Sequence, residues 1–176
     1  MGKKFFQEIE LLLFDMDGLL FDTETIYVGY GREVAKKMGY TITKDIVEKT
    51  TGVTDDKARI LFKESLGQEF PYDEMMGTVK DHILELAKKS EVPLKPGALE
   101  LLEFLRENNK EMILATSSDF FMAEALINGK DLKKYFSYFV TAEDVVHGKP
   151  DPEVFLIGAK KAGVSPEKTA VFEDSF

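Results

Sequence analysis

Four short apolar runs set the pattern of this chain more than any other feature. They cover residues 11–14, 112–115, 138–140 and 170–172, and polar residues follow each of them. Continuous apolar runs of this length are typical of strands that are buried on both faces, as in a parallel sheet. We therefore expect a parallel sheet of short strands at the centre of the fold.

Helical segments separate the last three runs. The first follows Pro96-Gly97, the second begins near Asp119, which is a good N-cap, and the third begins with Pro152 at its first helical position. Strands that alternate with helices predict an α/β fold with right-handed crossovers. We expect a Rossmann-like core of three layers, α/β/α, around the parallel sheet.

The stretch between the first two strands is too long for a single crossover. It carries two apolar stripes at helical spacing, Ile26, Tyr30, Val34 and Met38 in one and Met76, Val79, Ile83 and Leu86 in the other. We predict that residues 18–93, called the helical insert below, form an all-α domain after the first strand. Residues 1–17 and 94–176 would then form the core domain.

Charge and composition narrow the classes of partner. The chain has 176 residues, with 32 acidic and 23 basic side chains and a net charge of −9. An acidic surface repels a phosphate backbone, so a nucleic-acid partner is not expected. No apolar stretch reaches membrane-spanning length, and there are no cysteines, so we expect a cytoplasmic protein without membrane contact. The sequence predicts no particular oligomeric state.

Two carboxylates follow the first apolar run, as Asp15-Met16-Asp17-Gly18. Side chains two residues apart in an extended chain point to the same side, and ligands bind at the carboxyl ends of parallel strands. Asp15 and Asp17 can therefore face one pocket, where a hard cation such as Mg²⁺ would offset their repulsion. Taken alone, the motif is also compatible with a surface turn, whereas an EF-hand loop is excluded by the position of Gly18.

The other three runs are followed by complementary groups. Thr116, Ser117 and Ser118 follow the second run, and their hydroxyls can donate hydrogen bonds to phosphate oxygens. Ser118 and Asp119 could also reach a substrate, but we expect them to cap the next helix. Lys149 lies at the loop-to-helix junction after the third run, and Glu173-Asp174 ends the fourth. The ends of successive strands thus carry an acidic pair, hydroxyls, a cation and a second acidic pair. This combination predicts a site for phosphoryl chemistry.

These motifs resemble those of the haloacid dehalogenase superfamily of hydrolases with an α-helical cap, and within it the phosphatases that are similar to β-phosphoglucomutase. The matching stretches are L-L-L-F-D-M-D-G-L-L-F-D-T-E, P-G-A-L-E-L-L, I-L-A-T-S-S, G-K-P-D-P-E-V-F and V-F-E-D-S. They span residues 11 to 175, with the helical insert in the place of the cap. Four of these stretches carry the polar groups described above, and their occurrence in the family's order makes the resemblance specific.

The resemblance implies a role for each site residue. Asp15 would attack phosphorus and become an aspartyl phosphate, and Asp17 would act as general acid and then general base. Asp15, the backbone carbonyl of Asp17, Asp174 and, less directly, Glu173 would hold Mg²⁺. Thr116, Ser117 and Lys149 would bind the oxygens of the phosphoryl group.

The activity expected from the resemblance is Mg²⁺-dependent hydrolysis of a small phosphorylated metabolite, such as a sugar phosphate. A sugar phosphomutase is the alternative, but mutases of this group carry a histidine where this chain has Tyr27 and an arginine where it has Asp55. A phospho-accepting signalling domain is a further alternative. Such domains place the acceptor aspartate after a middle strand and have no helical insert of this size.

The resembled fold continues past the Glu-Asp-Ser motif with a helix, another strand and a last helix, whereas this sequence stops at Phe176. We therefore expect residues 170–172 to lie at an exposed edge of the sheet, where unpaired backbone groups invite strand pairing. The corresponding alternative for the function is that this chain is an inactive fragment.

Overall fold

The computed structural model describes residues 7–51 and 53–175. Within them, a parallel sheet contains β1 (Leu11–Phe14), β2 (Glu111–Ala115), β3 (Tyr138–Val140) and β4 (Thr169–Phe172). The strand order is β3-β2-β1-β4, so the chain starts at the centre of the sheet and builds outward on both sides. All four apolar runs are thus confirmed as strands, each within one residue of its predicted start.

Seven α-helices that lie wholly within the described residues accompany these strands. They are α1 (Thr23–Lys37), α2 (Lys44–Thr50), α3 (Asp55–Leu66), α4 (Tyr72–Lys88), α5 (Ala98–Glu107), α6 (Phe120–Gly129) and α7 (Glu153–Ala162). The side chain of Asp119 caps α6, as predicted, by accepting a 2.8 Å hydrogen bond from the amide of Met122. The start predicted for α7 is one residue too early, because Pro152 is its N-cap.

Side chains of the central strand alternate between two apolar layers. Leu12 and Phe14 pack in the cluster that includes α5 and α6, whereas Leu11 and Leu13 pack with α7 on the other face. The fit on the α7 side is tight, because a Cβ at Gly158 would lie 2.8 Å from Leu13 Cδ2. The sheet therefore lies between helices on both faces, which confirms the three-layer α/β/α core.

Four helices, α1 to α4, occupy the helical insert, and the described residues of the insert contain no strand. Helix α1 packs mainly on α4, and α3 packs on α2 and α4. The buried stripe of α4 consists of Met75, Val79, Ile83 and Ala87, so two of the four predicted positions, 76 and 86, are off by one residue and only partly buried.

Helix α4 also packs against α6 of the three-layer core. A Cβ at Gly129, the last residue of α6, would lie 2.3 Å from the carbonyl oxygen of Ala87. The side chain of Lys130 donates a 2.6 Å hydrogen bond to the carbonyl of Ser90. One hydrophobic cluster accordingly runs through the insert and one face of the sheet. The division into an inserted domain and a core domain stays a prediction.

The two segments that connect the insert to the sheet lie side by side. The amide of Asp22 donates to the carbonyl of Pro93, and the amide of Lys95 donates to the carbonyl of Leu20, both at 2.9 Å. Entry and exit of the helical insert are thus joined by backbone hydrogen bonds near the end of β1.

Strand β4 lies at an edge of the described sheet, as expected for residues 170–172. Val171 on this strand keeps 45% of its surface exposed. None of the helices in the described residues is both long and apolar enough to cross a membrane.

Candidate active site

A cavity of about 570 Å³ lies at the carboxyl ends of β1, β2 and β4, and we call it the carboxylate pocket. Parallel strands bring residues that are distant in sequence to one edge of the sheet. All of the residues singled out from the sequence as catalytic, phosphate-binding or metal-binding line this pocket: Asp15, Asp17, Thr116, Ser117, Lys149, Glu173 and Asp174.

The ammonium group of Lys149 joins the ends of two strands. Its Nζ lies 2.6 Å from Asp15 Oδ1 and 2.5 Å from Glu173 Oε2, and all three side chains are at most 19% exposed. Burial raises the pKa of Asp15 to about 7, although the Lys149 ion pair opposes that rise. One lysine is therefore insufficient to keep the Asp15 carboxylate fully ionised at neutral pH, and a further cation would lower its pKa.

Three carboxylates of the pocket could hold such a cation. Ligand oxygens of Asp15, Glu173 and Asp174 lie within 4.8 Å of one another. Hard oxygen donors of this kind suit Mg²⁺, so the residues present fit a magnesium ion. Gly18 provides the space for Asp174, because a Cβ at Gly18 would lie 2.2 Å from Asp174 Oδ2.

The carboxylate of Asp17 is held apart from that acidic group by two hydroxyls. Thr23 at the start of α1 donates to Oδ1, and Ser118 after β2 donates to Oδ2, both at 2.7 Å. Burial raises the pKa of Asp17, although these two hydrogen bonds act in the opposite direction. A raised pKa makes the protonated form of Asp17 more available than in an ordinary aspartate, which suits general acid catalysis.

Ser118 contradicts one expectation from the sequence. We expected it to cap α6, but its hydroxyl binds Asp17 and Asp119 alone provides the side-chain cap. The amide of Ser118 donates a 3.1 Å hydrogen bond to Oγ1 of Thr116, which is 1% exposed. The turn after β2 thus orients the Thr116 hydroxyl and supports Asp17 at the same time.

Several residues of the pocket are not among those singled out from the sequence. Phe155 on α7 places its ring 5.0 Å from Lys149 Nζ and so contributes a cation–π contact that orients the lysine. The helical insert contributes Glu24, Val53 and Thr54 to the lining. Phe155 lies within the matched stretch G-K-P-D-P-E-V-F, which was the available signal. The apolar and charge patterns of the sequence carried no signal that Val53 and Thr54 would line the pocket.

Comparisons with known proteins agree with this geometry. The family described as haloacid dehalogenase-like hydrolase matches residues 12–176. A phosphorylated carbohydrates phosphatase of Thermotoga maritima is 34% identical over 171 residues, which cover 95% of this chain and 77% of that protein. A protein of Drosophila melanogaster named probable pseudouridine-5'-phosphatase is 31% identical over 181 residues, covering 99% of this chain and 78% of the relative.

A solved structure shares the fold as well as the sequence. The crystal structure of β-phosphoglucomutase from Clostridium difficile has a TM-score of 0.73 and 25% sequence identity, covering 94% of this chain and 76% of that one. Its match includes the parallel sheet and the helical insert, because it extends over nearly the whole chain. This chain therefore belongs to the haloacid dehalogenase-like hydrolase family.

Proposed function

We propose that this protein is a Mg²⁺-dependent phosphatase that hydrolyses a small phosphorylated metabolite through an aspartyl phosphate on Asp15. The observation that carries the proposal is the ammonium group of Lys149, which bridges Asp15 and Glu173 beside a group of carboxylates. An anionic nucleophile of this kind needs fixed positive charge to approach an anionic phosphate. The names of the two relatives above, both phosphatases, support the same reaction.

Asp15 and Asp17 divide the chemistry between them. A carboxylate oxygen of Asp15 attacks phosphorus, the bond to the leaving-group oxygen breaks, and protonated Asp17 gives its proton to that oxygen. The Asp17 carboxylate then takes a proton from water, and the water oxygen attacks the phosphorus of the aspartyl phosphate. Phosphate leaves, the Asp15 carboxylate is restored and Asp17 is protonated again.

The remaining polar residues bind and orient the phosphoryl group. Lys149, the Thr116 hydroxyl and the Ser117 hydroxyl are among the donors that line the pocket with Asp15. Magnesium bound by Asp15, Asp174, Glu173 and the Asp17 carbonyl would supply positive charge that favours ionised Asp15 and stabilises the charge on the phosphoryl oxygens. The raised pKa of Asp15 in the protein alone supports this need for a cation.

Hydrolysis is favoured over mutase activity by the charges of the helical insert. Asp55 accepts a 2.9 Å hydrogen bond from the Tyr72 hydroxyl and pairs with Arg59, which is also bound to Asp56 and Asp73. One guanidinium group thus serves three carboxylates, so this corner of the insert is net negative. A second phosphate of a bisphosphate intermediate would be repelled here. Water is therefore a better acceptor of the phosphoryl group than a sugar phosphate.

The helical insert is proposed to act as a cap over the carboxylate pocket. Glu24, Val53 and Thr54 already line that pocket from the insert side. The paired connecting segments near Leu20 and Pro93 would be the hinges, and closure would exclude water during attack on phosphorus.

The test is a screen of phosphate release from small phosphomonoesters with and without Mg²⁺. We expect release that requires Mg²⁺ and is abolished in Asp15→Asn, whose amide is nearly isosteric but a poor nucleophile. Circular dichroism of Asp15→Asn provides the folding control. Wild-type turnover by Asp15→Asn, or interconversion of hexose 1- and 6-phosphates without net release, would contradict the proposal.

A further inference from the structure

A second cavity, of about 720 Å³, lies within the helical insert, and we call it the insert cavity. It is lined by residues of α1, α2, α3 and α4, of which α1 packs mainly on α4, and α3 packs on α2 and α4. Its volume lies in the range of small-molecule sites, about 300–1,000 Å³. Its walls include the apolar and aromatic side chains of Tyr27, Val28, Val47, Phe62, Tyr72 and Met75.

The insert cavity adjoins the carboxylate pocket. Glu24 and Val53 line both spaces, and the neighbouring residues Thr54 and Asp55 line the pocket and the cavity respectively. The insert cavity therefore lies beside the pocket in which a phosphate next to Asp15 would be bound. Because the two spaces adjoin, the leaving group of a bound phosphomonoester is the expected occupant of the insert cavity.

The charges of the insert cavity disfavour an anionic occupant. Three of its lining residues are charged, namely Glu24, Arg32 and Asp55, which makes two acids against one base. Asp55 is also bound by the Tyr72 hydroxyl and by Arg59. A second phosphate or carboxylate on the leaving group would meet a net negative wall.

The aromatic lining favours a flat ring. Tyr27 and Tyr72 have raised pKa values, chiefly because of burial and with the Asp55 carboxylate contributing, so both stay neutral phenols. Neutral aromatic faces stack with unsaturated rings, and Tyr27 is the partly exposed tyrosine available for this contact, since Tyr72 is only 3% exposed. The Tyr27 hydroxyl can donate a hydrogen bond to a ring oxygen, whereas the Tyr72 hydroxyl already donates to Asp55. Burying a flat ring against apolar walls costs less free energy than burying a polyhydroxylated sugar, because the sugar hydroxyls would lack hydrogen-bond partners there.

We propose that the insert cavity holds the leaving group of the substrate, and that this group is an alcohol carrying a flat unsaturated ring and no second anionic group. A nucleoside 5'-monophosphate has this chemistry. The inference rests on the proposed phosphatase function and adds the class of substrate to it.

Three substrates with the same phosphoryl group test the inference. Uridine 5'-monophosphate carries the ring, ribose 5-phosphate lacks it, and uridine 3',5'-bisphosphate adds a second anion. We expect kcat/KM for uridine 5'-monophosphate to exceed both others by about tenfold or more, which is the scale of discrimination for a lost apolar contact. Equal or faster hydrolysis of ribose 5-phosphate would overturn the inference and leave the phosphatase function intact. No release from any of the three, with release from another phosphomonoester of the screen, would overturn the inference alone. No release from any phosphomonoester would overturn both.

Two variants with matched controls test whether the ring of the leaving group lies in the insert cavity. Val28→Trp narrows the insert cavity, and Ile60→Trp makes a similar change on the exposed face of α3, where Ile60 is 58% exposed. Gly29→Leu and Gly77→Leu form a second pair, because a Cβ at either glycine meets nothing within 4 Å but only Gly29 lines the cavity.

We expect Val28→Trp and Gly29→Leu to lower the ratio of kcat/KM for uridine 5'-monophosphate over ribose 5-phosphate about tenfold. Ile60→Trp and Gly77→Leu should keep the wild-type ratio. The ratio cancels losses of folded protein, and thermal unfolding of each variant checks the fold. If Gly29→Leu is folded and retains the wild-type ratio, the leaving group does not occupy the insert cavity.

Discussion

The hydroxyl of Ser118 donates a 2.7 Å hydrogen bond to Oδ2 of Asp17, a residue 101 positions earlier in the chain. Thr23 donates to the other oxygen of the same carboxylate. The proposed general acid is therefore held from both sides, by the turn after β2 and by the first residue of α1. This arrangement makes Ser118 a positioning residue for Asp17.

Replacing Ser118 by alanine should lower turnover about tenfold, because a general acid held by one hydroxyl instead of two loses part of the about 10²–10⁴-fold that general acid–base catalysis contributes. The hydrogen bond lowers the pKa of Asp17, so its loss should move the pH–rate profile to higher pH. Ser137→Ala is the control, since Ser137 bonds to Glu111 and Met112, away from the carboxylate pocket. An unshifted profile in Ser118→Ala would remove Ser118 from this role.

Asp17→Asn should slow turnover by about 10²–10⁴-fold, the usual contribution of general acid–base catalysis. Magnesium affinity should change far less, because the Asp17 carboxylate is not in the acidic group formed by Asp15, Glu173 and Asp174. Activity measured against Mg²⁺ concentration separates the two effects. A variant with weakened Mg²⁺ dependence and unchanged maximal turnover would contradict the assignment.

The contribution of Asp15 to the stability of the metal-free protein should fall as pH rises from about 4 to about 7. Burial raises the pKa of Asp15 from 3.8 to about 7, so between these values the folded state binds a proton that the unfolded state has released. The free energy of unfolding contributed by Asp15 is therefore highest at low pH and declines to a lower plateau above about pH 7. Thermal unfolding in a chelator across this range measures the effect.

Asp15→Asn provides the control for that titration. It should be more stable than the wild type in chelator at pH 8, and the difference should shrink toward pH 4, where Asp15 is protonated. Added Mg²⁺ should stabilise the wild type at pH 8 by binding the folded state. Equal slopes of stability against pH for the two proteins would show that Asp15 does not titrate in this range.

Gly18→Ala should weaken Mg²⁺-dependent activity more than it weakens the fold. A Cβ at Gly18 would lie 2.2 Å from Asp174 Oδ2 and would displace that carboxylate. Gly39→Ala is a matched control, because Gly39 has a similarly positive φ of 88° against 79° for Gly18, with nothing within 4 Å of the added Cβ. We expect both variants to lose some stability and only Gly18→Ala to need more Mg²⁺ for half-maximal rate.

Gly129→Ala should destabilise the protein by about 1–3 kcal/mol, because its Cβ would lie 2.3 Å from the backbone oxygen of Ala87 and push α4 away from α6. Gly77→Ala on the exposed face of α4 should instead stabilise it by up to about 1 kcal/mol through helix propensity. Chemical denaturation of both variants measures the change in the free energy of unfolding, which we expect to be negative for Gly129→Ala and positive for Gly77→Ala. A neutral Gly129→Ala would mean that α4 and α6 separate at little cost.

Much of the fold and of the carboxylate pocket was predictable from local sequence patterns. Short apolar runs identify buried strands, and the residue after each run must lie at the carboxyl edge of a parallel sheet. Asp15, Thr116 and Glu173 could therefore be assigned to one site without knowing the strand order. The helical character of residues 18–93 followed in the same way from apolar spacing, although the buried face of α4 was displaced by one residue at two positions.

Only the tertiary structure decided which groups meet across long separations. The sequence allowed Ser118 to be a helix cap, and the choice of Asp17 as its partner depends on how the turn after β2 lies against β1. The insert cavity likewise depends on the way α1 and α3 pack against α4, which no single helix encodes. Local patterns determine strands, helices and the edge where ligands bind, whereas hydrogen-bond partners and cavities arise from the packing of elements that are distant in sequence.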